Sequence, residues 1–344
     1  MQVDRFRDHP FLSFVDWSLR GIGQVVFQNN PLSGLIILAA VALNSWIYAA
    51  ICVLGVAAST ATAVILKADR AILRDGLYGF NGALVALALV AFTSEDFRSG
   101  AVPSPAMLAY LICAAAMTTM AFASITAVLA PHRIAALTMP FVLVGWLFLF
   151  AILKFDALDA GPMGKPVSPE YFTQTMPYVF STWYRGVGTS IGQIFFQDNW
   201  ITGYVILAGI AVNSRICAAM GLLGAIAGTA IAALYGGPET AVRDGLFGYN
   251  SALTAMALGG VFLVLTWRSL LYALFGAAVA SWLWVSITTF LSPLGMPALT
   301  SSFVLVTWLM LLGQGAFKAL VPVPPAQSTT PEENRARYLA SQSS

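Results

Sequence analysis

The sequence predicts an all-α integral membrane protein made of two homologous halves of inverted topology, each with five transmembrane helices and one short re-entrant pore helix. Three observations carry that prediction. Of 344 residues, 58% are hydrophobic and 9% charged, where soluble domains hold roughly 45–50% and 25%. Apolar runs of spanning length recur along the chain. A set of short phrases rich in glycine and amides is written twice.

The elements follow in order. Met1–Pro10 is charged and no continuous apolar core follows it, so no cleavable signal peptide is expected. Residues 14–29 are too short and polar for a comfortable span and end in Gln28-Asn29-Asn30-Pro31. They read as a half-membrane helix, because non-helical backbone at membrane depth is tolerated only where it lines a cavity or is buried in protein. Apolar runs then cover 33–66, 77–92, 106–130, 135–153, 202–235, 246–265, 269–290 and 297–316. A spanning helix needs about 20 residues, so the runs 33–66 and 202–235 each hold two crossings, broken at Asn44-Ser45 and Asn213-Ser214. About ten spans result. Cys52, Cys113 and Cys217 all lie in apolar runs and offer neither a disulfide framework nor metal-ligand spacing.

The duplication sets the domain plan. At an offset of 169, GQVVFQNNPLSG (23–34) matches GQIFFQDNWITG (192–203), and DGLYGFNGAL (75–84) matches DGLFGYNSAL (244–253). At an offset of 162, ALTMPFVLVGW (136–146) answers ALTSSFVLVTW (298–308). The first repeat is read as 1–153 and the second as 183–318. A proline-rich linker at 154–182 separates them, and the tail at 319–344, rich in Ser, Thr and Glu, reads as disordered chain. Five spans per half is an odd number, so the second half enters the membrane from the opposite side. Placing both termini in the cytoplasm puts eleven Lys and Arg on that side and five on the other, with Arg20 unassigned, as the positive-inside rule requires. Inverted repeats of this kind are a transporter and channel architecture, with the solute site where the halves meet.

In the doubled ten-residue phrase, Asp75 is expected to cap a helix N-terminus. Leu77, Phe80 and Leu84 then share one face, as do Leu246, Tyr249 and Leu253. Gly76, Gly79 and Gly82 equally suit close helix packing, so the stripe serves either a packed interface or a path lined by both halves.

Taken together, NPLSG at 30–34, GLYGFNGAL at 76–84, ALTMPF at 136–141 and their copies resemble the urea transporter family across nearly the whole chain. The resemblance implies a homotrimer in the cell inner membrane, each protomer with its own pore, through which urea passes passively and in single file. By matching motif it implies that the first pore helix contributes Gln24 and Phe27 and the second Gln193 and Phe196. Phe80, Leu84, Tyr249 and Leu253 come from the third and eighth spans, and Thr138 and Thr300 from the fifth and tenth. Urea and the lipid bilayer are the expected partners, with no cofactor, no metal, no nucleic acid and no enzymatic activity.

Physical chemistry agrees with that set. Urea is flat and neutral, with one strong acceptor oxygen and four N–H donors, and it needs uncharged acceptors to replace lost water, since an unpaired polar group in an apolar setting costs roughly 2–7 kcal/mol. Aromatic slabs would restrict passage to planar solutes. A channel for another small neutral amide or for ammonia is an alternative, although the only histidines are His9 and His132. An ion-coupled transporter would keep an ionisable group in mid-membrane, and Arg74, Asp75, Arg215, Arg243 and Asp244 all fall at predicted helix ends. An intramembrane hydrolase lacks a nucleophile with a base beside it. In the second half Trp200 and Ser302 stand where the first has Pro31 and Pro140, which leaves the geometry of the second pore helix open.

Overall fold

The structure, a computed structural model, describes residues 9–93, 97, 100–158, 166–173, 176–324 and 329–343. Four of the sixteen Lys and Arg counted for orientation, Arg5, Arg7, Arg98 and Lys165, and linker positions 159–165 and 174–175 lie outside the described residues. The chain is 74% helix with no strand, apart from an isolated bridge between Leu263 and Pro322 among the described residues. Contacts divide it into two compact units, Met1–Val128 with Ala136–Lys165, and Leu129–Ala135 with Pro166–Ser344.

The first unit opens with α1 (Pro10–Gln24), whose proline occupies the first turn, where a missing N–H costs nothing. At about 1.5 Å per residue it is some 22 Å long, short of the roughly 30 Å hydrocarbon core. After a turn, Asn30 caps α2 (Pro31–Asn44) by accepting from the N–H groups of Leu32 and Ser33 at 2.8 and 3.4 Å. The break expected at Asn44-Ser45 is there, and Ser45 caps α3 (Trp46–Ile65). Asp69 caps the short α4 (Arg70–Arg74). Then follow α5 (Phe80–Thr93), α6 (Pro105–Leu129) and α7 (Met139–Ile152).

The second unit repeats the order with α8 (Phe180–Gln193), α9 (Trp200–Asn213), α10 (Arg215–Leu234), α11 (Glu239–Arg243), α12 (Tyr249–Met256), α13 (Trp267–Leu291) and α14 (Ser301–Gly313). A further helix, α15 (Pro331–Ser343), follows. Composition had pointed to disordered chain there, yet Glu332 accepts from Ser214 Oγ and Ile216 N, both at 2.8 Å, and anchors the segment.

Four helices, Trp46–Ile65, Pro105–His132, Arg215–Leu234 and Trp267–Leu294, are long and apolar enough to cross a membrane. Pro31–Asn44, Phe80–Thr93, Met139–Ile152, Trp200–Asn213 and Ser301–Ala316 are shorter apolar helices of 10–17 residues, and α12 has only eight. Their placement differs by depth. Only about a third of the apolar stretch is buried in Pro105–His132 and 28% in Trp267–Leu294, so these present side chains such as Phe290, 77% exposed, outward. By contrast α5 is buried along its length except at Ala91 and Phe92, and every residue of α12 is buried. Small residues let these inner helices seat closely: a Cβ at Gly224 on α10 would lie 2.5 Å from the Ser251 carbonyl oxygen, and Gly55 on α3 meets Gly82 in the same way.

Candidate functional site

The turn after α1 is built around an unusual residue. The Gln28 N–H bonds the Gly23 carbonyl at 2.9 Å and the Phe27 N–H bonds that of Gln24 at 3.1 Å, the pair of bonds that closes a helix when the residue beyond the cap is left-handed. Glycine normally fills that position. Here it is Phe27, at φ +63°. After α8 the same bonds recur, Gln197 N–H to Gly192 at 3.1 Å and Phe196 N–H to Gln193 at 3.0 Å, with Phe196 at φ +58°. A second pair behaves alike: Leu137 and Leu299, in the two Ala-Leu-Thr phrases, both sit at φ +52°.

Such backbone costs roughly 1–3 kcal/mol per residue and clusters at functional sites. Two outer turns make the contrast plain. At Lys67 and Arg133 the first half also adopts positive φ, but the second half relieves it with Gly236 and Gly295. Glycine is therefore accepted where only the turn matters. Where Phe and Leu persist in both halves, the strained backbone is kept together with a large side chain.

The remaining contacts knit these turns to the doubled phrase. Gln24 Nε2 donates to the Asp75 carbonyl at 2.8 Å, and Gln193 Nε2 to the Asp244 carbonyl at 3.0 Å. That orientation leaves each amide oxygen as an acceptor. The glycine after each aspartate is obligatory: Gly76 and Gly245 sit at φ +73° and +75°, and a Cβ on Gly76 would meet the Gly21 nitrogen at 2.5 Å. Asp75 does not cap α5, as its spacing suggested. It ends α4, with its carboxylate 3.7 Å from Arg74, because α5 starts only at Phe80.

Asn81 and Asn250, each fully buried, were missed by sequence reasoning although both stand in the repeated phrase. Asn81 donates to the Leu137 carbonyl at 3.5 Å and accepts from the Phe141 N–H at 3.1 Å. Asn250 does the same to Leu299 at 3.3 Å and Phe303 at 3.2 Å. An amide that pairs one donor and one acceptor of a strained loop replaces the ladder the loop lacks. The phenol of Tyr249 adds a second bond to the Leu299 carbonyl, 2.5 Å long, for which Phe80 has no hydroxyl. The recurrence of asparagine at the offset of 169 is the signal that could have found Asn81 and Asn250.

Within each unit, then, the links run through neighbours of the expected residues: Gln24 and Gln193 reach the Asp75 and Asp244 carbonyls at the start of each doubled phrase, and Asn81 and Asn250, beside Phe80 and Tyr249, reach Leu137 and Leu299, beside Thr138 and Thr300. Their exposure differs. The side chains of Gln24, Phe27, Gln193 and Phe196 are half-buried, Phe80 and Tyr249 are 6% and 9% exposed, and Leu84 and Leu253 only 1%. Thr138 and Thr300 immediately precede α7 and α14 without capping them through their side chains. Phe80 also packs edge-on against Phe122, ring centres 6.0 Å apart. The buried hydroxyls of Thr60 and Thr229, again 169 positions apart, have no hydrogen-bond partner among the described residues.

The departures in the second half do not change its geometry. Without the proline, Asn199 still caps α9, accepting from Ile201 and Thr202 at 2.9 and 3.3 Å, and Thr300 keeps φ −93°, ψ 20° against −94° and 15° for Thr138. Cap and asparagine, present in both halves, suffice.

Charge is kept at the margins or paired. Arg20 binds Asp16 at 2.7 Å and the Asn29 carbonyl at 3.0 Å, bracing the turn after α1. Glu239, nearly buried, accepts from Thr182 Oγ1 at 2.6 Å with Arg243 3.7 Å away. Burial is the main reason that the Asp244 carboxyl titrates above its ordinary value, with Arg243 opposing and Asp198 and Glu239 assisting. The folded chain thus holds this proton more tightly than the unfolded one. Its contribution favours folding below the ordinary carboxylate pKa and is lost as pH rises through the raised value.

A family model described as urea transporter matches residues 15–315. Urea transporter 1 of Rattus norvegicus is 33% identical over 348 residues, covering 97% of this chain and 86% of that protein. Urea transporter 1 of Ovis aries is 33% identical over 350 residues with the same coverage.

Proposed function

This chain belongs to the urea transporter family, and from that premise we propose that it conducts urea passively, as a channel, along a path lined by Gln24, Phe27, Phe80, Leu84, Thr138 and their counterparts Gln193, Phe196, Tyr249, Leu253 and Thr300. It is a membrane transporter of urea and not an enzyme. The observation that carries the channel reading is the strain kept at Phe27, Phe196, Leu137 and Leu299 where glycine would relieve it. It holds a ring beside each half-helix and turns the backbone before each Thr, supplying uncharged acceptors next to flat apolar walls. Two inverted halves, each with five spans and a short pore helix, both termini in the cytoplasm, a homotrimeric assembly and an inner-membrane location complete the proposal.

The work done on urea is exchange of hydrogen bonds. A Gln amide oxygen and Thr hydroxyls take the N–H groups as water leaves, so that the 2–7 kcal/mol or so of an unpaired polar group is never met in full. None of these groups titrates between pH 5 and 8, and flux is expected to stay nearly constant over that range. Stopped-flow urea efflux from proteoliposomes, with and without an imposed proton or sodium gradient, tests the reading. Accumulation of urea against its gradient, or a severalfold fall in flux on acidification, would overturn it.

Gln193→Glu sharpens the test. The glutamate cannot donate to the Asp244 carbonyl unless protonated, and the carbonyl oxygen facing the half-buried carboxylate raises its pKa. The variant should therefore approach the parent's flux at low pH and lose it as pH rises. Flux of the variant that is flat from pH 5 to 8 would show that position 193 makes no such contact.

A further inference from the structure

The two halves differ most where the repeat should be dullest. In the first, α5 runs unbroken from Phe80 to Thr93. In the second, α12 ends at Met256 and continues as a π-turn over Ala257–Val261, with Gly259 at φ −100°, ψ 23° and Gly260 at φ +156°, ψ −22°. The first half has Val90 and Ala91 at these positions. Only glycine adopts φ +156° without strain, and such turns inside helices are frequent at functional sites. The segment that meets this break is α15: a Cβ on Gly260 would lie 2.8 Å from Pro331, and Asn334, 5% exposed, donates to the Gly260 carbonyl at 3.4 Å. Beyond the break the chain pairs with its own later residues, Val264 N–H to Val321 at 2.8 Å and Val323 N–H to Phe262 at 2.9 Å.

The same turn of α15 also holds α10. The Glu332 carboxylate takes the Ser214 hydroxyl and the Ile216 N–H, sitting on the positive end of that helix. In the first half Ser45 caps α3 through its own hydroxyl, which accepts from the Tyr48 N–H at 3.3 Å. Helices α10 and α12 are the pair that cross at Gly224 against Ser251, and α12 carries Tyr249 and Leu253.

We propose that Glu332 and Asn334 are positioning residues for conduction: α15 clasps the start of α10 and the break in α12, and so sets where Tyr249 and Leu253 stand along the path. The inference rests on the channel reading above. A clasp on the second half makes that half's part of the path adjustable through a segment that touches no solute.

The test uses the full chain in proteoliposomes, with urea and thiourea as permeants, and compares the parent with Glu332→Gln, Asn334→Ala and both together. Changes at physically connected positions shift coupled sites by a few-fold to about thirtyfold, so the pair is expected to lower urea permeability per folded protein at least about threefold. It should also change the thiourea-to-urea ratio, which a loss of folded protein alone would leave alone. In these backgrounds a cysteine at Leu253 should change its reaction rate with a small thiol reagent, while one at Leu84 should not. If the pair does not fold, Glu332→Gln alone, which keeps the side-chain volume, carries the same test. Unchanged permeability, ratio and Leu253 reactivity in a folded variant would overturn the inference. A parent that moves no urea would instead overturn the reading on which it rests.

Discussion

Gly34→Ala is expected to leave no folded, conducting protein. A Cβ at Gly34 would fall on the carbonyl oxygen of Leu19, with the Leu19 carbonyl carbon 2.7 Å away and the Gly23 nitrogen at 3.3 Å. These are backbone atoms of α1, which cannot rotate aside as a side chain can. Relief requires α1 to move as a body, and α1 ends at Gln24 and leads into the turn at Phe27. Overpacking into a rigid neighbour costs about 3 kcal/mol or more, a large share of the 5–15 kcal/mol or so that a domain has in total. Gly203→Ala should behave alike, since its Cβ would fall on the Gly188 carbonyl. Gly313→Ala is the control: nothing lies within 4 Å of a Cβ there. Recovery of folded protein in detergent and urea efflux from vesicles measure all three. A Gly34→Ala protein with parental melting and flux would mean that α1 and α2 are not packed as described.

Asn81→Ala is expected to be the most damaging polar substitution, and worse than Asn250→Ala. Removing Asn81 takes the donor from the Leu137 carbonyl and the acceptor from the Phe141 N–H. Leaving buried partners unmet costs roughly 1–3 kcal/mol each, and the loop so released carries strained Leu137 and Thr138. In the second half the Leu299 carbonyl keeps the phenol of Tyr249 when Asn250 is lost. Asn250→Ala should therefore destabilise less, until Tyr249→Phe is added. Thermal unfolding of the parent, Asn250→Ala, Tyr249→Phe and the double variant forms a double-mutant cycle, with Asn81→Ala measured beside it. Equal losses for Asn81→Ala and Asn250→Ala, with Tyr249→Phe purely additive, would contradict this account.

Much of the local structure was legible from spacing. The breaks at Ser45 and Ser214 could be read because short polar side chains bond their own backbone two or three residues on. The positive φ of Phe27 and Leu137 could not, because nothing in a Phe or Leu announces a left-handed turn. Likewise α15 is polar and short, and nothing in its own composition marks it as a docked helix, since its anchor is Glu332 on residues more than a hundred positions earlier. Asp75 misled for a related reason: a capping residue caps only if a helix starts beside it, and here the chain first turns at Gly76.

The sequence by itself determined the solvent, the helical class, the duplication and the family, because composition, apolar run length and exact recurrence are properties of the chain order. Only the tertiary structure decided which atoms of the doubled phrases meet, that asparagine rather than aspartate is their hinge, and that α12 breaks where α5 does not. Those outcomes depend on buried backbone groups finding partners far along the chain. A free amide, a strained φ and a glycine contact take on energetic meaning only when another helix has closed over them.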